Sequence, residues 1–176
     1  FSEVFLIGGA LLVGAPLPLL PTQILWANII GEGVMSFPFA FEKKEKGSML
    51  RNPRSHDSKN ILTASVKKLI FTVGIITGGF LILLYLFLLK LNLPMEEIQT
   101  IMFVGLSISS IFFAFSLKSF EQPVWKINVF SNKFLVGALM MNIAILLLSL
   151  TLPPLQKLLS LVPLSLLDIA LLFGLG

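Results

Sequence analysis

Long apolar runs separated by short polar or proline-rich connections make up most of the chain, and their lengths predict helices that cross a membrane. A helical crossing needs about 20 predominantly apolar residues. The runs accommodate five full spans and a shorter first one that has the character of a helix end. We therefore predict an all-α, polytopic membrane bundle of about six transmembrane helices, forming one domain over residues 1–176. The predicted spans are residues 1–15, 22–41, 61–91, 98–117, 133–151 and 163–175.

The connections between the runs predict which side of the membrane each helix end faces. The first turn contains Pro16, Pro18 and Pro21, which cannot continue a helix. Residues 42–60 form a polar, basic loop. Of the 13 Lys and Arg residues, all except Lys90 and Lys157 fall in or beside this loop or the connection around residues 118–133. Because short cytoplasmic loops carry an excess of Lys and Arg, we predict that these two segments are cytoplasmic.

Composition supports the membrane class and excludes several kinds of site. Hydrophobic residues make up 56% of the chain and charged residues only 12%, with a mean hydropathy of +0.94, whereas soluble domains are about a quarter charged. The chain has no cysteine and a single histidine, His56, so disulfides, thiolate metal sites and a histidine zinc cluster are excluded. We expect a multi-pass integral protein, placed in the plasma (inner) membrane of a prokaryote, with the lipid bilayer rather than nucleic acid as its surroundings.

The most informative residue is Glu32, a carboxylate near the middle of the second apolar run. A charge at the centre of a bilayer costs at least about 2.5–3.5 kcal/mol on insertion scales, so such a residue pairs, faces water or binds something. Gly31 and Gly33 flank it, and glycines loosen a helix and free backbone carbonyls. We therefore predict that the second helix is unwound near Gly31–Gly33. Asn28, four residues before Glu32, lies on the same helix face.

An oxygen-rich patch of this kind at membrane depth predicts a cation site. Glu3 and Glu32 each lie about 12 residues from the first turn, or roughly 18 Å of helix, so the two carboxylates are predicted to meet at one depth. Hard cations such as Ca²⁺ take about 6–8 oxygen ligands. The candidate metal ligands are Glu3, Asn28 and Glu32, with Ser110 in the fourth span as a possible neutral oxygen. A hydrogen bond in helix packing is the alternative role for Glu32, and no residue is assigned a catalytic or cofactor-binding role.

Two segments carry a family resemblance. Leu25-Trp-Ala-Asn-Ile-Ile-Gly-Glu-Gly33 and Met49-Leu-Arg-Asn-Pro-Arg54 closely resemble the P-type cation-transporting ATPases of the calcium-pump and sodium-pump group. The sixth helix of that family carries Leu-Trp-x-Asn-Leu-x-Thr-Asp-Gly, and a loop ending in Met-x-Arg-x-Pro-Arg follows it. The resemblance extends over nearly the whole chain, from the later part of the family's fifth helix through its tenth.

The resemblance implies roles for individual residues. Glu3 matches the ligand glutamate of the fifth helix, Asn28 the asparagine of the sixth, and Glu32 the sixth-helix aspartate that two-site pumps share between both sites. Gly31 replaces a threonine ligand, and Ser110 stands where two-site calcium pumps have a glutamate, so one site is implied rather than two. Ca²⁺ is the implied cargo, and the replaced positions leave sodium, potassium, protons or another divalent ion open.

The resemblance also implies ATP-driven transport through an aspartyl-phosphate. The Asp-Lys-Thr-Gly phosphorylation motif, the nucleotide domain and the actuator domain, with ATP and Mg²⁺, are expected upstream, so this chain is expected to be a fragment that cannot hydrolyse ATP by itself. The loop 42–58 is expected to contact the phosphorylation domain. Two alternatives remain, namely a non-transporting scaffold or regulatory subunit derived from such a pump, and a secondary transporter with a broken helix.

Overall fold

The computed structural model describes residues 2–41, 64–117 and 132–164, and all the regular structure within these ranges is helical. The prediction of an all-α fold is therefore confirmed for the described part of the chain. In chain order the elements are α1 (Ser2–Leu12), α2 (Pro21–Trp26), a π-helical segment (Ala27–Glu32), α3 (Gly33–Ser36), a 3₁₀ segment (Phe37–Phe41), α4 (Ala64–Lys90), α5 (Met95–Leu117), α6 (Lys133–Thr151) and α7 (Pro153–Leu159).

Two helical stretches in the described residues are long and apolar enough to cross a membrane, Val66–Lys90 and Lys133–Thr151. They correspond to the third and fifth predicted spans. Helix α1 is apolar but short, and the number of six spans stays a prediction. The basic loop 42–60, and all but the first two residues of the predicted span 163–175, lie outside the described residues.

A glycine ends α1 and turns the chain back toward α2. Gly14 has a φ of 68°, a left-handed conformation that glycine adopts without strain. The Ala15 N–H donates to the carbonyl of Ala10 at 2.9 Å, and the Gly14 N–H donates to the carbonyl of Leu11 at 3.1 Å. This pair of hydrogen bonds closes the helix end in a Schellman motif, and Pro16 then prevents the helix from resuming.

Helices α1 and α4 approach each other closely at glycine positions. A Cβ atom added to Gly78 would lie 2.8 Å from the Cβ of Phe5, and one added to Gly9 would overlap the side chain of Ile82. Small residues at a helix interface allow the two backbones to come close and increase dispersion contacts. This contact positions the start of α1, where Glu3 lies.

The core lies where α1, α4 and α5 meet. Leu6, Tyr85 and Phe103 are among its largest fully buried side chains. The π-helical segment packs against α5, while α3 and the 3₁₀ segment pack against α6. Many large apolar side chains on the outer faces, such as Ile76 and Leu147, are exposed, which is the arrangement that a bundle surrounded by lipid requires.

The connections around residues 15–21, 91–98 and 152–162, which the charge distribution leaves for the outer side, are joined by hydrogen bonds at one end of the bundle. The proline-rich turn accepts hydrogen bonds from α4 and α5, and α2 donates to the end of α7. A further bond joins the residues after α7 to α5. The pairs are the Tyr85 hydroxyl to the Pro16 carbonyl, Gln99 Nε2 to the Leu17 carbonyl at 3.0 Å, Gln23 Nε2 to the Leu159 carbonyl at 3.0 Å, and the Val162 N–H to Thr100 Oγ1 at 3.1 Å.

The 3₁₀ segment, which ends the second predicted span, is attached to the start of α6. The side chain of Asn132 accepts hydrogen bonds from the N–H groups of Phe134 and Leu135, capping α6, and its Nδ2 donates to the Pro38 carbonyl at 3.1 Å. The rings of Phe41 and Phe134 stack with centroids 4.4 Å apart. The 3₁₀ segment, which precedes the basic loop, is thus held against α6.

Candidate cation site

The predicted site lies on a widened turn of the second helix. Over Ala27–Glu32 the backbone is π-helical, and the Gly33 N–H donates to the carbonyl of Asn28, five residues back. Single π-helical turns are rare and occur frequently at functional sites. The chain stays helical through Gly31–Gly33, so the predicted unwinding is not confirmed. The irregularity is instead a wider turn that begins one residue before Asn28 and ends at Glu32.

Side-chain amides bond to backbone carbonyls at both ends of this segment. Asn28 Nδ2 donates to the carbonyl of Ile24 at 3.0 Å, and Asn142 Nδ2, from α6, donates to the carbonyl of Gly31 at 3.0 Å. A carbonyl that pairs with a side chain does not depend on the regular i+4 backbone donor. These two amides therefore stabilise the irregular turn against a regular α-helix.

A hydrogen bond joins two of the predicted ligands across neighbouring helices. Asn28 Nδ2 donates to Glu3 Oε2 at 3.1 Å, and both residues are half-buried. Because Glu3 and the Ile24 carbonyl both accept, the amide nitrogen of Asn28 faces them and its Oδ1 remains available as a ligand. The structure thus brings the first turn of α1 to the π-helical segment, and the meeting of the Glu3 and Glu32 carboxylates stays a prediction.

Glu32 lies at the end of the same segment and is exposed. In the part of the chain that the structure describes, no hydrogen bond or ion pair involves the Glu32 side chain. Its oxygens are therefore free to bind a cation, and the alternative role in a packing hydrogen bond finds no partner among the described residues.

Ser110 makes its hydrogen bond within its own helix and not with another candidate ligand. Its hydroxyl donates to the carbonyl of Leu106 in its own helix at 3.2 Å, which is the common behaviour of serine in an apolar helix. The serine of α5 that lies beside the π-helical segment is Ser107, one turn earlier, which lines a small cavity together with Gly31 and Asn142. A ligand role for Ser110 stays a prediction without support from this geometry.

Sequence reasoning missed Asn142. The signal was present, because it is a carboxamide within the otherwise apolar sequence Leu139-Met-Met-Asn-Ile-Ala-Ile145, and a polar side chain in such a helix needs a partner. Its partner, the Gly31 carbonyl, is 111 positions away. Sequence spacing gives no indication of a contact at that separation.

The donor set consists of hard oxygens. Two carboxylates and one carboxamide suit Ca²⁺, Mg²⁺ and related ions, whereas Zn²⁺ and softer metals prefer nitrogen and sulfur ligands. Within residues 2–41, 64–117 and 132–164, no three His, Cys, Asp or Glu residues are grouped as a metal cluster. The candidate set is thus two carboxylates and one carboxamide oxygen, which are the kinds of ligand that bind a hard cation.

Comparison with known proteins gives the family. Residues 16–176 match the family model described as "Cation transporting ATPase, C-terminus". The chain belongs to the cation-transporting ATPases. The family resemblance predicted from the Leu-Trp-x-Asn and Met-x-Arg-x-Pro-Arg segments is thereby confirmed, and both segments fall within the matched range. Glu3 precedes that range.

Individual relatives agree with this assignment. The chain is 30% identical over 156 residues to a "Calcium-transporting ATPase" of Bacillus subtilis, covering 88% of this chain and 17% of that protein. It is 28% identical over 165 residues to the "Calcium-transporting ATPase type 2C member 2" of Rattus norvegicus, covering 92% of this chain and 17% of the relative. Each alignment takes in most of this chain, which spans about a fifth or less of the length of these relatives.

Proposed function

We propose that this chain is the C-terminal membrane part of an ATP-driven cation pump and that Glu3, Asn28 and Glu32 form its transport site. The observation that carries the proposal is the hydrogen bond between Asn28 and Glu3. It joins two candidate ligands on different helices, and Glu32 lies on the same irregular turn as Asn28. The family membership supports the reading of this arrangement as a site for transport rather than as a packing contact.

Ca²⁺ is the cation that we propose for the site. Two carboxylates match its double charge, and the relatives of Bacillus subtilis and Rattus norvegicus are named calcium-transporting ATPases. Ca²⁺ takes about 6–8 oxygens, more than these three side chains supply, so water and other segments of the protein complete its coordination. The exposed position of Glu32 gives such groups access to the site. One site per chain is proposed, because Ser110 stands where two-site calcium pumps have a glutamate.

The energy for transport would come from parts of the protein outside this chain. ATP and Mg²⁺ are proposed to bind there, and the loop 42–58 is proposed to contact the phosphorylation domain. That loop follows the 3₁₀ segment, which is attached to α6 through Asn132. Movement at the loop would therefore act on the C-terminal end of the helix that carries Asn28 and Glu32. We place the protein in the plasma membrane of a prokaryote, with its helices in the lipid bilayer.

Replacement of Glu32 tests the proposal. Glu32→Gln keeps the shape of the side chain but removes the charge, and in the full-length protein that carries this chain we expect it to abolish phosphorylation by ATP at Ca²⁺ concentrations that saturate the wild type. The measurement is phosphoenzyme formed from radiolabelled ATP as Ca²⁺ is titrated. An unchanged Ca²⁺ affinity would contradict the proposed site.

Glu96→Gln is the matched control, because Glu96 is an exposed carboxylate in the first turn of α5, at the other end of the bundle. We expect it to keep the wild-type Ca²⁺ dependence. Phosphorylation by inorganic phosphate without Ca²⁺, the reversal of the hydrolysis step, reports whether each variant is folded. A scaffold protein would form no phosphoenzyme in any variant, and a secondary transporter would move cations without ATP.

A further inference from the structure

Asn142 is a buried polar residue on a helix that is otherwise suited to lipid. Only 4% of its surface is exposed, and it lies within α6, one of the two stretches long and apolar enough to span a membrane. A buried carboxamide without a partner destabilises a protein by a few kilocalories per mole, so such residues persist where their hydrogen bonds are made. Its described bond is the one to the Gly31 carbonyl.

That carbonyl belongs to the peptide group between Gly31 and Glu32. A peptide group is planar, so a hydrogen bond that fixes the carbonyl also fixes the nitrogen and Cα of Glu32. Gly31 has no side chain that could restrict this peptide group, and a Cβ added there would meet nothing within 4 Å. The bond from Asn142 therefore adds a restraint on this peptide group that residue 31 itself does not supply.

We propose that Asn142 is a positioning residue for the cation site, which holds the Gly31 carbonyl and thereby the π-helical turn that presents Asn28 and Glu32. This inference rests on the proposed function of that site. Because a carbonyl only accepts, the amide nitrogen of Asn142 must face it. The bond at 3.0 Å restrains the orientation of the Gly31 carbonyl, and with it the backbone from which the Glu32 side chain projects.

The space around Asn142 favours a positioning role over a second cation site. The cavity lined by Gly31, Ser107 and Asn142 has a volume of about 10 Å³, and a single water needs at least about that much. A cation with 6–8 oxygen ligands does not fit there. The nearby hydroxyl of Ser107 donates to the carbonyl of Phe103 in its own helix at 2.8 Å. Asn142 therefore acts through the backbone of the second helix.

Three substitutions in the full-length protein test this role. Asn142→Leu keeps a similar volume and removes the donor, Asn142→Ala leaves space in which a water could replace the donor, and Asn142→Gln keeps the donor. Groups that orient metal ligands typically change metal affinity about 10- to 100-fold when they are removed. The measured quantity is the Ca²⁺ concentration for half-maximal phosphorylation by ATP. We expect it to rise about tenfold or more in Asn142→Leu and by a smaller factor in Asn142→Ala. In Asn142→Gln we expect it to stay within about threefold of the wild type. Maximal phosphoenzyme should stay within about twofold.

Ser149→Ala is the control for general damage to α6. Ser149 is fully buried on the same face, two turns further along, and its hydroxyl bonds within its own helix to the carbonyl of Ile145. We expect this variant to keep the wild-type Ca²⁺ affinity. An equal loss of affinity in Ser149→Ala would overturn the inference, because the effect would then report helix packing. If Asn142→Leu is not phosphorylated by inorganic phosphate and is therefore unfolded, the comparison of Asn142→Ala with Asn142→Gln carries the test.

Parallel measurement of Glu32→Gln separates this inference from the proposed function. If Glu32→Gln loses its Ca²⁺ dependence while Asn142→Leu stays within twofold of the wild type, the positioning role is overturned and the proposed function stands. If Glu32→Gln keeps the wild-type Ca²⁺ affinity, the proposed cation site is wrong, and so is the positioning role of Asn142. A loss of Ca²⁺ affinity in Asn142→Leu, together with an affinity near that of the wild type in Asn142→Gln, supports the inference.

Discussion

Asn28 connects the two helices that carry the candidate carboxylates. Its amide donates both to Glu3 on α1 and to the Ile24 carbonyl one turn back in its own helix. The first bond stabilises the charged form of the Glu3 carboxylate, and the two bonds together turn the amide nitrogen toward these acceptors and Oδ1 away from them. One side chain thus contacts both helices that carry the candidate ligands.

Removal of the Asn28 side chain should therefore weaken cation binding strongly. Hydrogen bonds to charged groups are worth about 1.5–3 kcal/mol, so we expect Asn28→Ala to raise the Ca²⁺ concentration for half-maximal phosphorylation of the full-length protein roughly 10- to 100-fold. Thr22→Ala, at an exposed position in the first turn of α2, should leave it unchanged. A shift of less than threefold in Asn28→Ala would show that this residue is not part of the site.

The position of α1 as an element depends on its close contact with α4. A Cβ added to Gly78 would lie 2.8 Å from the Cβ of Phe5, whereas one added to the adjacent Gly79 would meet nothing within 4 Å. The two glycines lie in the same helix, so replacement by alanine changes helix propensity by a similar amount at both. The difference between the two substitutions isolates the packing of α1 on α4.

We expect Gly78→Ala to be less stable than Gly79→Ala by about 1–3 kcal/mol, the usual cost of overpacking. The measurement is the free energy of unfolding of the full-length protein in mixed detergent micelles. Because Glu3 lies on α1, Gly78→Ala should also weaken Ca²⁺ activation, whereas Gly79→Ala should not. Equal free energies of unfolding of the two variants would contradict this prediction, because α1 would then move on α4 without a loss of stability.

At the scale of the whole molecule, the described hydrogen bonds join the helix ends in two separate groups. The proline-rich turn, the start of α5 and the end of α7 are joined at one end of the bundle. The residues that flank the basic loop and precede α6 are joined at the other. The basic loop 42–60 and residues 118–131 lie outside the described residues, so the predicted sidedness stays a prediction.

Cysteine labelling can test this orientation, because the chain contains no cysteine of its own. In a full-length background without other cysteines, we expect a membrane-impermeant maleimide to label Glu96→Cys in intact cells. We expect Lys59→Cys, in the basic loop, to be labelled only after the cells are permeabilised. The unsubstituted background serves as the blank, and labelling of Lys59→Cys in intact cells would contradict the predicted topology.

Part of the candidate site could be predicted from sequence because its members are close along one helix or symmetric about one turn. Asn28 and Glu32 are four residues apart, and Glu3 lies as far before the first turn as Glu32 lies after it, so helix geometry alone places them at one depth. Ser110 was proposed from its place in the fourth span and from the family resemblance, and its side chain bonds within its own helix. An alignment gives a position in a helix, whereas the rotation of that helix follows from its packing.

The sequence by itself determined that the chain is helical and apolar, that its connections divide by charge, and that a carboxylate between two glycines is the residue to explain. These properties follow from local composition and period. Only the tertiary structure decided that the second helix widens into a π-turn instead of unwinding, and that Asn142 on α6 holds the Gly31 carbonyl. Both depend on which donor reaches a given carbonyl in space, and that donor lies on a helix more than a hundred residues away in the chain.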